Sequence, residues 1–272
     1  MITCKLKGGL ANMLFQIATM KSLAKDNDSD VSFPNFFDNI NALNLDTFHN
    51  PKINYAQEYV NIFKNFKINT ENNINIKENI SVPFCYVDLE YKNNANYDGF
   101  FQCEKFFKHN RNLILDLYEP NDIIKEYIIN KYSEIIKLET CAIHVRRGDY
   151  LKLQNVHVVQ NLEYFNSAID KIGKVDKYIV FSDDIEWCKN NFIGEDFIFI
   201  SEDKDYIELF LMSMCSHQII SNSSFSWWGA WLNKNENKKV IGPLKWFNEN
   251  SEWLKTIKTN VNDIIPENWI KL

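Results

Sequence analysis

Arg146-Arg147-Gly148-Asp149 stands directly after the apolar run Cys141 to Val145, with His144 inside that run. Arginine offers a planar fork of donors and stays charged, so this turn suits bidentate capture of a phosphate or diphosphate. An arginine–aspartate ion pair at a strand end is the competing reading. The run Lys177 to Phe181 is followed by Ser182-Asp183-Asp184, whose carboxylates either accept hydrogen bonds from a base or ribose or cap the next helix. The run Gln218 to Ile220 leads into Ser221-Asn222-Ser223-Ser224-Phe225-Ser226-Trp227-Trp228-Gly229. So many serines at a helix start exceed what one N-cap needs, and the free amides and dipole there attract an anion.

The elements that must carry these turns alternate for about 100 residues, as expected of a parallel sheet covered on both faces. Strands are predicted at Cys141 to Val145, Lys177 to Phe181, Phe197 to Ile200, Gln218 to Ile220 and Val240-Ile241. Helices are predicted between them at Leu162 to Ile172, Ile185 to Asn191, Tyr206 to Cys215 and Phe225 to Leu232. Ligands bind beyond the carboxyl ends of strands in such sheets, where all three turns fall. Cationic forks, carboxylates and an anion nest at one sheet edge together describe a nucleoside diphosphate site.

Earlier in the chain, residues 1 to 6 run into Gly8-Gly9, after which Leu10, Leu14, Ile17, Ala18 and Leu23 recur at helical spacing: a strand, a tight turn and a helix. Val31-Ser32-Phe33 reads as a short strand, Tyr97 to Gln102 as a strand or turn, and Glu104 to Leu117 and Asp122 to Lys137 as helices. From about 35 to 95, short apolar pieces alternate with Asn-rich stretches, giving helices and loops without firm boundaries.

The chain of 272 residues is 45% hydrophobic and 24% charged, which excludes collagen, extended disorder and a disulfide-stapled miniprotein. A net charge of −6 argues against nonspecific polyanion binding, nucleic acid included, so a bound phosphate needs a local site. The six cysteines, Cys4, Cys85, Cys103, Cys141, Cys188 and Cys215, form no C-x-x-C pair and read as buried free thiols. No signal-peptide pattern and no run of roughly 18 apolar residues is visible, so a cytoplasmic protein is expected. With only 8 glycines, those at Gly8, Gly9, Gly148 and Gly229 point to positive φ or close backbone approach.

G-x-G-x-x-G and G-x-x-x-x-G-K are absent, which disfavours dinucleotides and ATP phosphoryl transfer. Asp26-Asn27-Asp28, Asp28-Ser29-Asp30 and Asp203-Lys204-Asp205 have a metal-binding spelling but read as solvated turns. Six of seven tryptophans lie from Trp227 onward; the helix carrying Trp227, Trp228 and Trp231 reads chiefly as core, with sugar stacking as the alternative. The five dispersed histidines pair with no nucleophile, against a triad hydrolase.

Gly8-Gly9-Leu10-Ala11-Asn12-Met13-Leu14-Phe15-Gln16, His144-Val145-Arg146-Arg147-Gly148-Asp149-Tyr150, Phe181-Ser182-Asp183-Asp184 and Asn222-Ser223-Ser224-Phe225-Ser226-Trp227-Trp228 resemble, in order, the landmarks of the glycosyltransferase family 11 α-1,2-fucosyltransferases. The chain departs from the family's usual first motif at Ala11, where glycine is common, and at Met13-Leu14, where Gln-Met is common. The resemblance implies an α/β protein of two facing Rossmann-like halves of GT-B type. Residues 1–138 would be the acceptor-side half; 139–272 would bind GDP-L-fucose, with a C-terminal helical segment packing back on the first.

It further implies inverting transfer of L-fucose to a galactose-containing glycan acceptor in an α-1,2 linkage, in bacterial surface polysaccharide or glycan biosynthesis. No metal or other cofactor is implied, and peripheral membrane association is compatible with the reading. Arg146 and Arg147 would hold the phosphates, with Arg147 stabilising the leaving diphosphate. His144, Asp149 and Asp184 would contact the nucleoside, and Asn222, Ser223, Ser224 and Ser226 would complete the nucleotide-sugar site. Gly8, Gly9 and Asn12 would line the acceptor side or cleft. Asp149 and His157 are candidates for the base by position and chemistry. The rivals are another GDP-sugar transferase of this architecture and a noncatalytic carbohydrate-binding protein built on the Trp-rich helix.

Overall fold

Short strands, most of them followed by a turn and a helix, organise both parts of the computed structural model, which describes residues 1–37, 55–84, 86–257 and 261–272. The chain divides into two compact units, Met1–Asp122 with Thr259–Ile264, and Ile123–Lys258 with Ile265–Leu272. The expected α/β class is observed, with parallel sheets in both units.

The first unit contains β1 (Ile2–Cys4), α1 (Leu10–Asp26), β2 (Val31–Ser32), α2 (Tyr55–Ile62), β3 (Glu78–Ser81), β4 (Ala95–Asp98) and α3 (Arg111–Leu117). Its four strands lie parallel in the order β2-β1-β4-β3. The buried strand β1 reaches α1 through the predicted glycine turn: Gly8 has φ +82, and a Cβ there would collide with the Asn12 side chain. The predicted helix Glu104 to Leu117 is instead two 3₁₀ turns, Glu104–Phe106 and Lys108–Asn110, before α3.

The second unit begins with α4 (Asp122–Lys131) and α5 (Ser133–Ile136). It continues through β5 (Thr140–Val145), α6 (Leu162–Ile172), β6 (Lys177–Ser182), α7 (Ile185–Asn191), β7 (Phe197–Phe199) and α8 (Asp205–Met214). β8 (His217–Ile219), α9 (Ser224–Leu232), β9 (Val240–Gly242), α10 (Glu252–Ile257) and β10 (Ile270–Lys271) complete it. All six strands are parallel, in the order β10-β9-β8-β5-β6-β7. The chain builds outward from β5 in one direction through β6 and β7, then returns to the other side of β5 with β8. The order reverses between β5 and β8, the switch point beyond whose carboxyl ends ligands bind in sheets of this kind.

The units divide at the start of α4, earlier than the expected 138/139 boundary, because α4 and the residue after it belong with the second unit: Lys131 Nζ lies 2.7 Å from Glu202, which also accepts from the Tyr132 hydroxyl. The segment that joins the first unit near the C-terminus includes the 3₁₀ turn Val261–Asp263, tied by a 2.6 Å ion pair from Lys105 to Asp263. α10 stays with the second unit, and the chain ends on its sheet as β10.

β5 is buried along its whole length, and Cys141, Ile143 and Val145 pack with Phe165, Ala168, Ile172, Val180 and Ile219. Trp227, Trp228 and Trp231 of α9 are at most 2% exposed, so this helix is core and the sugar-stacking alternative falls. Gly229 allows α9 to approach α8, since a Cβ there would sit 2.5 Å from Met212 Sδ. Cys4, Cys103, Cys141, Cys188 and Cys215 are buried free thiols, as expected; Cys85 lies outside the described residues. Among the described residues no helix is long and apolar enough to cross a membrane.

Candidate functional site

Register brings the three predicted turns of the second unit together. β5 pairs with β6 up to Val145↔Ser182, which sets Arg146 and Arg147 beside Asp183 and Asp184. On the other side, the Ser221 hydroxyl donates to the His144 carbonyl at 2.6 Å and accepts from the Arg146 amide at 3.2 Å. One serine thus fastens the arginine turn to the serine turn at the β5–β8 switch point.

Asp183 is the hub of the arginine turn. Its Oδ1 accepts the Arg147 amide at 2.9 Å and its Oδ2 lies 3.2 Å from Arg146 Nε. The approach is close enough that a Cβ on Gly148 would fall 2.5 Å from Asp183 Oδ2, which explains why glycine stands there. Arg146 also reaches Asp149 through Nη2 at 2.7 Å. Its Nε and Nη2 therefore face carboxylates of the turn, and Asp149 stands as one ion-pair partner of Arg146.

Arg147 is arranged differently. Its Nε donates to Asp184 Oδ2 at 3.0 Å and its guanidinium carbon lies 4.1 Å from the Trp187 ring centroid. Among the described residues, Nη1 and Nη2 have no partner, so the distal fork is fixed and available. Asp184 takes this bond while its Oδ1 accepts the Trp187 amide at 3.2 Å as the N-cap of α7. Each oxygen thus accepts one bond from the protein, which makes Asp184 both a helix cap and an arginine anchor.

The serine turn also separates into structural and available groups. Asn222 is 1% exposed; its Nδ2 donates to the Trp246 carbonyl at 2.8 Å, its Oδ1 accepts from Gln160 at 3.2 Å, and its carbonyl accepts the Tyr150 hydroxyl at 3.0 Å. Ser226 is fully buried and donates back to the Ser223 carbonyl at 3.2 Å. Both side chains are bonded within the protein. Ser223 is the N-cap residue of α9 in extended conformation, yet its hydroxyl makes no capping bond. Among the described residues the hydroxyls of Ser223 and Ser224 have no partner. The amides that open α9 have no acceptor within the helix, which leaves donors in an anion-attracting position.

His144 lies at the same edge, 6% exposed, its ring 5.7 Å from that of Phe225 and its Nδ1 without a partner among the described residues. Burial first, and Arg146 second, push its pKa down to about 3, so it is neutral near pH 7. His157 stacks on Tyr150 at 4.0 Å and 6°, and burial lowers its pKa.

In the first unit, Asn12 Oδ1 accepts from Gln102 at 2.7 Å, and the Gln16 amide group exchanges two hydrogen bonds with the Lys7 backbone. These bonds fix the glycine turn. Gly9 precedes α1 with nothing within 4 Å of a Cβ built on it, so the structure shows no steric demand for glycine there. Of the Asp-x-Asp segments, Asp26 is held by Asn110 at 2.7 Å and lies 2.7 Å from His109 Nε2.

Three residues to which the sequence assigned no such part hold the predicted turns together: Asp183 as hub, Ser221 as the link between turns, and Trp187 under Arg147. The scarce glycine at 148 was the available signal for Asp183, because close approach requires something that approaches.

The model of Glycosyl transferase family 11 matches residues 1–272. The O-antigen biosynthesis glycosyltransferase WbnK of Escherichia coli is 34% identical over 188 residues, 64% of this chain and 62% of that one, so the match spans less than two thirds of that relative. An alpha-1,2-colitosyltransferase of Escherichia coli is 27% identical over 303 aligned positions, 100% of this chain and 98% of that one. A galactoside alpha-(1,2)-fucosyltransferase 1 of Leontopithecus chrysomelas is 27% identical over 154 residues, 48% of this chain and 41% of that one. In fold, the chain is similar to the fucosyltransferase NodZ from Bradyrhizobium, with TM-score 0.55 at 12% identity, covering 84% of this chain and 92% of that one. NodZ soaked with GDP-fucose gives TM-score 0.50 at 12% identity, covering 85% and 92%. With its family model matched from end to end and a parallel α/β fold to carry the matched turns, the chain belongs to glycosyl transferase family 11 and is a glycosyltransferase.

Proposed function

We propose that the chain transfers L-fucose from GDP-L-fucose to the 2-hydroxyl of a galactose-containing acceptor, with inversion and without a metal ion, in the assembly of a bacterial surface glycan. One observation carries the reading: at the β5–β8 switch point, the open fork of Arg147 stands in the turn that Ser221 joins to Ser223, Ser224 and the amides opening α9. That donor set suits a diphosphate.

The reaction is a single displacement. The acceptor oxygen forms a bond to fucose C1 as the C1–O bond to the diphosphate breaks; the electron pair leaves with GDP, and the acceptor proton leaves to a base. Charge grows on the departing diphosphate, and donors fixed beforehand stabilise it without reorganising. Arg147 is fixed by Asp184 and Trp187, and α9 by its buried tryptophans. Neutral His144 adds a ring nitrogen to this edge without adding charge.

The test is incubation with GDP-fucose and galactose-terminated acceptors, with and without excess chelator, followed by assignment of the new linkage. An α-1,2-fucosyl product formed equally in chelator supports the proposal; a strict requirement for added Mg²⁺ or Mn²⁺ overturns its metal-free part. The full-length alignment with a colitosyltransferase favours a second donor, GDP-colitose, which lacks the 3-hydroxyl of fucose. Competition between the two donors decides which sugar the site prefers.

A further inference from the structure

We infer that Trp187 is a positioning residue of the transfer reaction, setting the plane of the Arg147 guanidinium so that its free fork meets the departing diphosphate. The inference rests on the donor reading above and extends it to a residue outside the arginine, aspartate and serine turns.

The geometry is a clamp built from one helix start. Asp184 accepts the Trp187 amide at Oδ1 and Arg147 Nε at Oδ2. The same carboxylate therefore fixes the first turn of α7, from which the indole projects, and the arginine that lies against it. A single hydrogen bond at Nε sets where a guanidinium sits but leaves rotation about that bond. The indole face, 4.1 Å from the guanidinium carbon, removes this freedom. The two distal nitrogens remain without a partner among the described residues. Trp187 is half-buried and meets Phe192 edge-on, with ring centroids 6.2 Å apart at 85°, so its own orientation is supported from below.

Packing alone would also place an apolar side chain here, because Trp187 borders the core cluster of the second unit. The experiment must therefore separate the aromatic face from the bulk. Trp187→Leu keeps apolar volume and removes the face; Trp187→Phe restores a face. If the clamp acts on the transition state, Trp187→Leu lowers kcat roughly 3- to 30-fold, the range of one partly exposed cation–aromatic contact. GDP affinity changes less, and Trp187→Phe recovers most of the rate. In an Arg147→Lys background, Trp187→Leu costs little further rate, because the fork it orients is already gone.

A structural role alone predicts that the losses multiply in the double variant and follow melting temperature. That result, or a kcat for Trp187→Leu within twofold of wild type, overturns the inference. If wild type transfers nothing from GDP-fucose, the donor reading fails by itself. The same double-variant cycle is then measured on GDP affinity, where coupling supports the clamp and independence overturns it.

Discussion

A methyl group added at Gly148 would lie 2.5 Å from Asp183 Oδ2 and 3.1 Å from its Cγ, against an ordinary contact of roughly 3.5 Å. Gly148→Ala therefore forces a shift of about 1 Å between the turn and the carboxylate, and Asp183 is the short side chain that must yield. Yielding breaks its 2.9 Å bond from the Arg147 amide and its 3.2 Å contact with Arg146 Nε. Hydrogen bonds to charged groups contribute about 1.5–3 kcal/mol each, but Asp183 is partly exposed and water replaces part of the loss, so about 1–3 kcal/mol in total is expected. Activity should fall further than stability, because a 1 Å misplacement of a reacting site costs about 100-fold. Melting temperature and transfer from GDP-fucose, measured on Gly148→Ala, Asp183→Ala and the double variant, check this. The double variant should be no worse than Asp183→Ala alone, since the methyl then meets only the remaining Cβ at 3.8 Å, an ordinary contact. A Gly148→Ala enzyme with normal melting and normal rate would refute the hub role of Asp183.

Replacing Ser223 and Ser224 together by alanine should weaken GDP and GDP-fucose binding in parallel while acceptor affinity stays near wild type; calorimetry showing normal GDP affinity in the folded variant would remove both from the site. Glu208, pushed up to about 7 by burial first and then by Asp205 and Glu202, binds its proton more tightly folded than unfolded. Stability from this group is present below about 4.5 and lost as pH rises to about 7, so Glu208→Gln should be more stable than wild type above pH 7 by on the order of 2 kcal/mol, with the difference closing below pH 4. His144, pushed down to about 3, acts in the opposite sense at acid pH, so the variant-minus-wild-type difference, not the raw pH profile, isolates Glu208. A difference that does not change between pH 4 and 8 would contradict the assignment.

The second unit was legible almost residue by residue because its buried parallel strands read as continuous apolar runs: Cys141 to Val145 was predicted and Thr140–Val145 observed. β3 was not legible, because Glu-Asn-Ile-Ser at 78–81 is an exposed strand with no apolar signature. The helix predicted at Glu104 to Leu117 breaks at Phe107, fully buried with φ −143, where tertiary packing overrides local periodicity. In the site, residue types located the turns, but types do not reveal which oxygen meets which nitrogen. Arg146 and Arg147 are adjacent and identical, yet one is engaged at Nε and Nη2 while the other keeps its distal fork open. The four serines likewise divide by bonding, not by burial: the hydroxyls of Ser221 and Ser226 bond inward, and those of Ser223 and Ser224 do not, although Ser223 is buried too.

The central claim is that the open fork of Arg147 stabilises the departing diphosphate, and Arg147→Lys tests it most directly by keeping the charge and removing the fork. Turnover, GDP-fucose affinity and melting temperature are measured on the one variant. The expected result is a loss of about 10² to 10³ in turnover, the scale of losing one preorganised donor, with a much smaller change in donor affinity and near-normal melting. Near-normal turnover in a slightly less stable protein would show instead that Arg147 serves only its ion pair with Asp184, and would contradict the claim.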